Sequence, residues 1–543
     1  MMNNPIAPSL QLRISGCPGL EELGYLPIFP RPHNPNSLLS NDPILGKQVG
    51  HLEVQVEGAP SGAFLRIRTP VAHKRFVRIL FDARDGWMDA CVLGEWTIPV
   101  AGSELVRLRV VAENFARPGR HRVAEWSGEF DLRISLLGDN VQPLARIKVH
   151  CQVAPFLLAS SLDPVDTVYM IGSSLTTDFV AAMDQIVPLC NARTQALSFN
   201  ESVPSDIWAQ DCMEMGVVSA PVNGELQKTA VLTGVRGRHS GIRAAPLDQN
   251  VRHHFHANNT ITLDVADSRY HTRWIDWFGN LEVTPPYTAS DGQQYPFGRI
   301  VCGKQADLQL HPEVLKFLQC QGYQWPPLEL DVSFLTIGHV DEVVNFLPAN
   351  TATGFTIMVP SVRAARQALF SMVGQGFGDT KLFDDTSVVT TLEKLYRKIA
   401  MNEENSAAEL RLSAICNQLI EEFGIERVDV IDVPVLYADG IAIFPNMVNC
   451  LVCNRNVIVP DTCGPLFGSR DLFAAQVIDR VKALGLNVHV VDVWEPFHVR
   501  SGEVHCATNA SRLRSNADWW NYDPKTRLRI TEDQQKLSSR DDA

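Results

Sequence analysis

Hydrophobic and polar residues alternate in short runs between Gly50 and about Val153. Runs such as LEVQVEG, FLRIRT and FDLRISLL are separated by Gly, Pro and Asp residues that favour turns. Successive side chains of a β-strand point to opposite faces, so alternation over five or more short runs is typical of an antiparallel sandwich. We therefore predict an Ig-like β-sandwich domain over residues 41–153.

The pattern changes after this region, where β-type runs such as DTVYMIG and DVIDV alternate with segments of helical periodicity. This alternation predicts an α/β domain over residues 154–526. One helix is predicted to begin at Ser361 and to end before Gly374.

A second helix is predicted with Ser469 as its N-cap, Asp471 in its first turn and Gly485 just after its end. Its apolar stripe consists of Leu472, Phe473, Val477, Ile478, Val481 and Leu484.

The two ends of the chain differ from both regions. Residues 1–40 are rich in Pro, Asn and Gly without sustained periodicity, which predicts an extended leader. Residues 527–543 are polar and aperiodic, which predicts a frayed tail. The sequence shows no repeat at a fixed period, although degenerate structural repeats would escape this test.

Composition and charge narrow the classes of function. The chain has 543 residues, of which 45% are hydrophobic and 20% charged, as in ordinary globular proteins. Its net charge of −13 disfavours nucleic acid and anionic membranes as partners and favours cationic ligands. No apolar run is long enough for a bilayer span, and the N-terminus lacks a signal-peptide pattern. With 12 dispersed cysteines, these features predict a cytoplasmic protein.

Three short motifs place acidic residues beside His, Cys or Trp, and the first two supply a histidine and a cysteine. In GHVDE, His339 and Asp341 would project to one face of an extended segment, although a surface turn with a solvated aspartate is the commoner explanation of this motif taken alone. In GEVHC, His505 and Cys506 would point to opposite sides of an extended chain, so a distant histidine is the better partner base. Taken alone, Cys506 is typical of a buried structural thiol.

The third motif is WAQDCMEMG. Asp211 beside Trp208 suits a planar cation with an alkyl chain, and Gln210 and Glu214 could supply hard oxygen ligands to a metal. A buried strand with a capping aspartate is the alternative interpretation.

Taken together, two aspartates, a histidine and a cysteine are what is needed to hold a guanidinium while a thiolate attacks its carbon. A papain-like thiol hydrolase is disfavoured, because its cysteine precedes its histidine, whereas His339 precedes Cys506 here.

These motifs, together with WFGNLEVTPP, YPFGRIVCG, FPNMVNCLV and HVRSGEVHCATN, closely resemble the protein-arginine deiminases from about Val153 to Asp523. The resemblance implies a pentein catalytic domain, which is a five-bladed α/β propeller. It also implies roles for six residues: Cys506 as nucleophile, His339 as general acid/base, Asp211 and Asp341 as guanidinium-binding carboxylates, and Trp208 and Arg500 in substrate binding.

The implied reaction converts arginine in proteins or peptides to citrulline and ammonia through a covalent thiouronium on Cys506. Two alternatives stay open. One is a catalytically silent module that binds arginine-bearing partners. The other is a deiminase or amidinotransferase that acts on free arginine, which would need a clamp for the α-carboxylate that the sequence does not reveal.

Calcium is the cofactor that the resemblance implies. One calcium site matches in full, with the side chains of Gln210, Glu214 and Glu282 and the backbone carbonyls of Phe278 and Leu281. This all-oxygen set suits a hard cation.

Other parts of the family pattern are missing. A second calcium site would need a carboxylate where this chain has Cys212, and the acidic loops of the animal sandwich domains have no counterpart in residues 100–150. We therefore expect fewer calcium ions than in the animal enzymes. The arginine that would contact the substrate backbone is one of three candidates, Arg236, Arg238 and Arg243. The oligomeric state stays open.

Overall fold

The computed structural model describes most of the chain beyond residue 125 and a smaller part of the chain before it. The described residues are 7–14, 25–28, 50–70, 76–83, 86–89, 91–92, 95–112, 116–117, 125–198, 206–221, 225–234, 246–257, 260–263, 273–382, 390–467 and 470–529.

Two β-sheets form the N-terminal region and share one hydrophobic core. In spatial order, the first contains Ser9–Ile14, Gly50–Ala59, Gly102–Ala112, Val77–Ala83 and Gly86–Asp89. The second contains Tyr25–Ile28, Pro143–Val153, Glu129–Leu137, Phe64–Arg68, Glu95–Pro99 and Cys91–Val92. Alternate residues such as Leu52, Val54 and Val56 are buried between the sheets. The prediction that this region consists mostly of strands is confirmed.

Two segments of the predicted leader are strands of these sheets. Ser9–Ile14 pairs antiparallel with Gly50–Ala59, and Tyr25–Ile28 pairs parallel with Pro143–Val153. Each lies at an edge, where an extended chain finds unpaired backbone donors and acceptors. Part of the predicted leader therefore belongs to the sandwich. At the other end of the chain, residues 530–543 of the predicted tail lie outside the described residues.

Between residues 157 and 512, the described chain forms five sheets of three or four strands with one common pattern. In each sheet a central strand has one antiparallel and one parallel neighbour. The central strands are Val165–Gly172, Glu225–Thr233, Ile300–Lys304, Phe355–Ser361 and Asn456–Pro460. Their antiparallel neighbours are, in the same order, Thr508–Arg512, Met213–Pro221, Glu282–Val283, Asn345–Pro348 and Leu451–Cys453. Their parallel neighbours are Arg193–Ser198, Ile261–Leu263, Leu328–Asp331, Ile431–Pro434 and Asn487–Val491.

A helix connects each central strand to its parallel neighbour, because parallel strands need a long crossover. The connecting helices are Thr177–Ile186, Pro246–Ala257, Pro312–Gln321, Val362–Gly374 with Glu403–Phe423, and Leu472–Ala483. One crossover holds two long helices, so the five units differ in length. This difference explains why the sequence shows no fixed period.

Further short elements complete the fold. Leu157–Leu158 extends one of the five sheets, and four strand pairs are Tyr287–Thr288 with Gln294–Tyr295, Lys381–Leu382 with Thr390–Thr391, Tyr437–Ala438 with Ile441–Ala442, and Leu466–Phe467 with Arg470–Asp471. Leu392–Lys394 is helical and continues into the π-helix Leu395–Ala400. Among the described residues, the 3₁₀ turns outside the ring of the site are Val187–Cys190, Trp274–Asp276, His498–Arg500 and Trp519–Asn521. Among the described residues, no helix combines the length and the apolar character needed to cross a bilayer.

The two predicted helices are present. The helix after Ser361 begins as expected, and the Ser361 side chain accepts a hydrogen bond from the Ala364 amide. The cap of the other helix was predicted wrongly. Asp471 is the N-cap, and its carboxylate accepts from the amides of Phe473 and Ala474. The reason is that a capping side chain must lie within reach of the amides two and three residues ahead.

Candidate active site

A short segment precedes the antiparallel outer strand of each of the five sheets. These segments are the single helical turns Ala209–Cys212 and Val504–Ala507, the 3₁₀ turns Phe278–Asn280 and Val340–Glu342, and the loop 446–449. The turns contact one another, and the loop joins Val340–Glu342 to Val504–Ala507. Asn446 Nδ2 donates to the Glu342 carbonyl at 2.9 Å, and Asn449 Oδ1 accepts from the Cys506 amide at 3.1 Å. The five segments thus form a ring of contacts that brings distant parts of the sequence together.

Cys506 lies in this ring against a carboxylate and an amide. Its Sγ donates to Asp341 Oδ2 at 3.3 Å and accepts from Asn449 Nδ2 at 3.1 Å. Burial raises the pKa of the Cys506 thiol well above its usual range, and the charges of Asp341 and Asp211 raise it further. The resting sulfur is therefore a protonated thiol that a cationic ligand would activate.

His339 is oriented by a backbone carbonyl. Its Nε2 lies 2.8 Å from the Trp274 carbonyl, which fixes the proton on that nitrogen. Its Nδ1 faces Asp211 Oδ1 at 3.7 Å. Nδ1 is therefore the nitrogen that can accept and donate a proton during a reaction.

The acidic groups of the ring are buried. Asp211 is 4% exposed, His339 and Asp341 are each 2% exposed, and Asp341 Oδ1 has no hydrogen-bond partner among the described residues. Next to Asp341, burial raises the pKa of Glu342 to about 8, and the Asp341 charge contributes to that rise. A site with this excess of negative charge suits a cation.

The predicted geometry of the two histidine motifs was wrong, because neither segment is an extended chain. Val340–Glu342 is a 3₁₀ turn, so His339 faces Asp211 while Asp341 faces Cys506. In the helical turn Val504–Ala507, His505 and Cys506 both contact the Asp341 carboxylate, and His505 Nδ1 lies 3.0 Å from Asp341 Oδ2.

The proposed calcium ligands lie on the other side of His505. His505 Nε2 lies 3.1 Å from Glu282 Oε1, at ion-pair distance but not in a hydrogen bond. Gln210 Nε2 donates to Glu214 Oε2 at 2.6 Å and to the Phe278 carbonyl at 3.2 Å. Leu281 is buried in the same turn, and its amide donates to that carbonyl. His505 therefore connects the calcium set to Asp341.

These residues fit a hard cation. Gln210, Glu214 and Glu282 line one polar cavity of about 30 Å³, which has room for one ion or water molecule. Burial raises the pKa of Glu282 to about 7, and burial together with the Glu282 charge raises the pKa of Glu214 well above its usual range. Among the described residues, no group of three or more His, Cys, Asp or Glu is arranged to hold a metal ion. The amide and backbone oxygens would therefore have to complete the set.

The two predicted substrate residues lie in different surroundings. Trp208 is buried against Phe497, with ring centroids 5.6 Å apart. A side chain on Gly502 would meet the Trp208 ring at 2.4 Å, so only glycine fits there. Arg500 is exposed, and its guanidinium donates to the carbonyls of Glu495 and Pro496.

The residues expected at the second calcium site and at the substrate backbone differ in what the structure describes of them. Cys212 is buried, and its Sγ donates to the Ala209 carbonyl at 3.2 Å. Arg236, Arg238 and Arg243 lie outside the described residues. The loss of the second calcium site therefore stays a prediction.

Sequence reasoning missed three contributors to the site. Asn449 contacts Cys506, Gly279 leaves space for the His339 ring, and His498 pairs with Glu503 beside the turn that carries Cys506. The motif FPNMVNCLV contains Asn449, but an asparagine in an apolar run has no chemical signature of its own. No local signal identifies the other two contacts.

His498 forms a buried ion pair with Glu503. Its Nδ1 lies 2.8 Å from Glu503 Oε1 and its Nε2 lies 3.0 Å from the Ile443 carbonyl, so a protonated ring donates through both nitrogens. Burial alone would lower the pKa of His498, but Glu503 outweighs burial and raises it. The stability that His498 supplies is therefore complete below about pH 6.5 and is lost as the pH rises through the raised value.

Replacing His498 with alanine should reduce the free energy of unfolding at pH 6 by about 3–5 kcal/mol, because Glu503 is left buried and unpaired. Urea denaturation would measure the loss. His150→Ala is the matched control, since His150 also pairs with an aspartate, at 3.1 Å, but is 43% exposed. It should cost at most about 1 kcal/mol. Equal losses of unfolding free energy in the two variants would show that the buried pair stabilises the fold no more than the exposed pair does.

Comparisons with known proteins place the chain in a family. The sequence model of "Protein-arginine deiminase (PAD)" matches residues 143–521. Mouse protein-arginine deiminase type-4 is 28% identical over 421 residues, which cover 74% of this chain and 61% of that protein. Mouse protein-arginine deiminase type-3 is 29% identical over 453 residues, which cover 80% of this chain and 66% of that protein. The chain thus spans about two thirds or less of the length of these relatives.

Solved structures of agmatine deiminases are also similar. The C. jejuni enzyme is 12% identical with a TM-score of 0.40, over 67% of this chain and 98% of that one. The Enterococcus faecalis enzyme is 14% identical with a TM-score of 0.37, over 66% of this chain and 96% of that one. The family match is the decisive comparison, because it spans every residue of the candidate site. By that match, this chain belongs to the protein-arginine deiminase family.

Proposed function

We propose that this protein hydrolyses arginine side chains of proteins or peptides to citrulline and ammonia, with Cys506 as the nucleophile. The observation that carries the proposal is the contact of the Cys506 thiol with Asp341, next to a second aspartate that faces His339. This site combines a nucleophile, a proton carrier and carboxylates for a planar cation.

Charge explains how the resting thiol becomes reactive. The carboxylates that keep the sulfur protonated are the groups that would bind the guanidinium. A bound guanidinium offsets their charge, so the thiol loses its proton to water more easily in the presence of substrate. The nucleophile would therefore form where its target is already held.

The chemical steps follow from the positions of Cys506 and His339. The thiolate adds to the guanidinium carbon and forms a C–S bond, and protonated His339 gives its Nδ1 proton to the departing nitrogen as the C–N bond breaks. Ammonia leaves a positively charged thiouronium. His339 then takes a proton from water, whose oxygen adds to the carbon, and the C–S bond breaks to restore the thiolate. The product loses its extra proton to water and is neutral citrulline.

Calcium belongs to the same proposal. Gln210, Glu214, Glu282 and the carbonyls of Phe278 and Leu281 would hold it. Bound calcium would neutralise the two glutamates. His505 contacts both Glu282 and Asp341. The charge of the calcium ligands would therefore influence the position of Asp341, the carboxylate that would bind the substrate.

Replacing Glu282 with glutamine should weaken calcium binding at least about tenfold, because one of two negatively charged ligands is lost. Isothermal titration calorimetry measures the affinity without substrate. Glu329→Gln is the matched control, since Glu329 is a glutamate paired with a surface lysine at 3.6 Å. Equal affinity in wild type and E282Q would contradict this calcium site.

For the fold, we propose an Ig-like sandwich followed by a five-bladed α/β propeller. The five sheets with one strand pattern and the ring of five segments support this arrangement. The pairing of Thr508–Arg512 with Val165–Gly172 would close the ring.

The function is tested by measuring citrulline formation from a blocked arginine peptide, with calcium and with a chelator. Free arginine is assayed as a second substrate under the same conditions. We expect citrulline from the peptide in calcium, and little in chelator. Citrulline from free arginine alone would favour the small-substrate alternative. Peptide binding without any citrulline would support the silent binding module and overturn the enzyme.

A further inference from the structure

We propose that Asn449 is a further catalytic residue, whose side-chain amide donates a hydrogen bond to the Cys506 sulfur and holds the turn that carries it. This inference deepens the proposed function and rests on it for the role of Cys506. Asn449 is not among the residues to which the sequence motifs or the family resemblance gave a role above.

The contacts of Asn449 use both ends of its amide. Nδ2 lies 3.1 Å from Cys506 Sγ and 3.5 Å from the Asp341 carbonyl. Oδ1 accepts from the backbone amides of His505 at 2.9 Å and Cys506 at 3.1 Å. The side chain is 1% exposed, so these bonds do not compete with bulk water. One planar group thus fixes both the sulfur and the backbone beneath it.

The position of Asn449 in the fold matches that of the residues with roles in the proposed reaction. Each of the five segments of the ring presents one side chain two to four residues before its outer strand. These side chains are Asp211, Asn280, Asp341, Asn449 and Cys506. Three of them already have roles in the proposed reaction, so the sheet of Leu451–Cys453 and Asn456–Pro460 contributes Asn449 from an equivalent place.

Asn280 shows what a purely structural asparagine does at this position. Its Nδ2 donates to the carbonyls of Ile275 and Gly303, and its Oδ1 accepts from the Gly303 amide, so it binds its own sheet. Asn449 instead reaches the turn of the next unit and contacts the reacting atom. The two asparagines therefore differ in the target of the amide donor.

The chemistry favours an uncharged donor here. The carboxylates near Cys506 all disfavour the thiolate. A lysine or arginine at position 449 would compete with the guanidinium for Asp341. An amide N–H stabilises negative charge on sulfur without adding a charge of its own. It acts twice in the reaction, when the thiolate forms and when it leaves the thiouronium.

The test is Asn449→Asp, which keeps the oxygen that accepts from the two backbone amides and replaces the donor with a second oxygen. We expect alkylation of Cys506 by iodoacetamide, measured by mass spectrometry of its peptide, to slow at least about tenfold at pH 8. The pH dependence of the alkylation rate should also shift to higher pH. The kcat should fall at least about tenfold while KM for an arginine peptide changes less than about threefold, since the guanidinium clamp is intact.

Asn402→Asp is the matched control, because Asn402 caps a helix through its oxygen alone and Asp caps equally well. It should leave alkylation and kcat unchanged. Asn449→Ser, with folding checked by circular dichroism, repeats the test should Asn449→Asp fail to fold. A rate of Cys506 alkylation within twofold of the wild-type rate, in a folded variant, would overturn the proposal. Alkylation needs no substrate, so it tests Asn449 independently of the proposed function. If the wild-type protein makes no citrulline but Asn449→Asp still slows alkylation of Cys506, the proposed function is rejected and the hydrogen bond from Asn449 to the sulfur is supported.

Discussion

Replacing Cys506 with alanine is expected to lower kcat for citrulline formation on the order of 10⁴-fold or more, because no other group can form the covalent intermediate. The protein should stay folded, since alanine removes one atom from a buried site and relieves the contact of the thiol with Asp341. Citrulline formation from the blocked arginine peptide measures the loss, and urea denaturation checks the fold.

Cys463→Ala is the matched control for this prediction. Cys463 is an exposed cysteine in the same α/β region, and its removal should change kcat less than about twofold. A C506A variant that retains more than a hundredth of the wild-type rate would show that the reaction does not pass through a covalent cysteine intermediate. A Cys463→Ala variant with the same loss would show that the assay reports on thiols in general.

Replacing Gly279 with alanine should lower kcat by about 10²–10⁴-fold, the range for loss of a general acid/base. A methyl group at this position would lie 2.4 Å from His339 Nδ1, the nitrogen that is proposed to exchange protons. The ring cannot retreat without losing its hydrogen bond to the Trp274 carbonyl. The free energy of unfolding should change little in comparison with kcat.

Gly374→Ala is the control for the methyl group itself. Gly374 ends a helix, and a side chain there would meet no atom within 4 Å. This variant should keep its full rate and gain up to about 1 kcal/mol of stability, because alanine favours the helix. A Gly279→Ala variant with wild-type rate would mean that His339 Nδ1 is not the proton carrier.

Much of the fold could be predicted where local pattern decides it. The alternation between Leu52 and Val56 identified a strand with one buried face, and Ser361 marked the start of a helix. Boundaries were less certain, because several polar residues compete for one cap. Asp471 rather than Ser469 caps its helix for that reason.

The candidate site was predictable in its residue types but not in its contacts. His339, Asp341 and Cys506 carry recognisable chemistry, and the structure brings them into one ring with Asp211. The orientation of His505 was missed because an extended chain was assumed where the backbone makes a helical turn. Asn449 was missed because its contact with Cys506 crosses from one sheet to the next.

The sequence by itself determined the strand-rich first region, the α/β character of the second and the cysteine, histidine and carboxylates of the candidate site. These features depend on local periodicity and on side-chain types, which are independent of distant contacts. Only the tertiary structure decided which nitrogen of His339 is free to react, that His505 joins Glu282 to Asp341, and that Asn449 reaches the sulfur. These contacts join segments far apart in the chain, so they exist only once the five sheets have assembled around the ring.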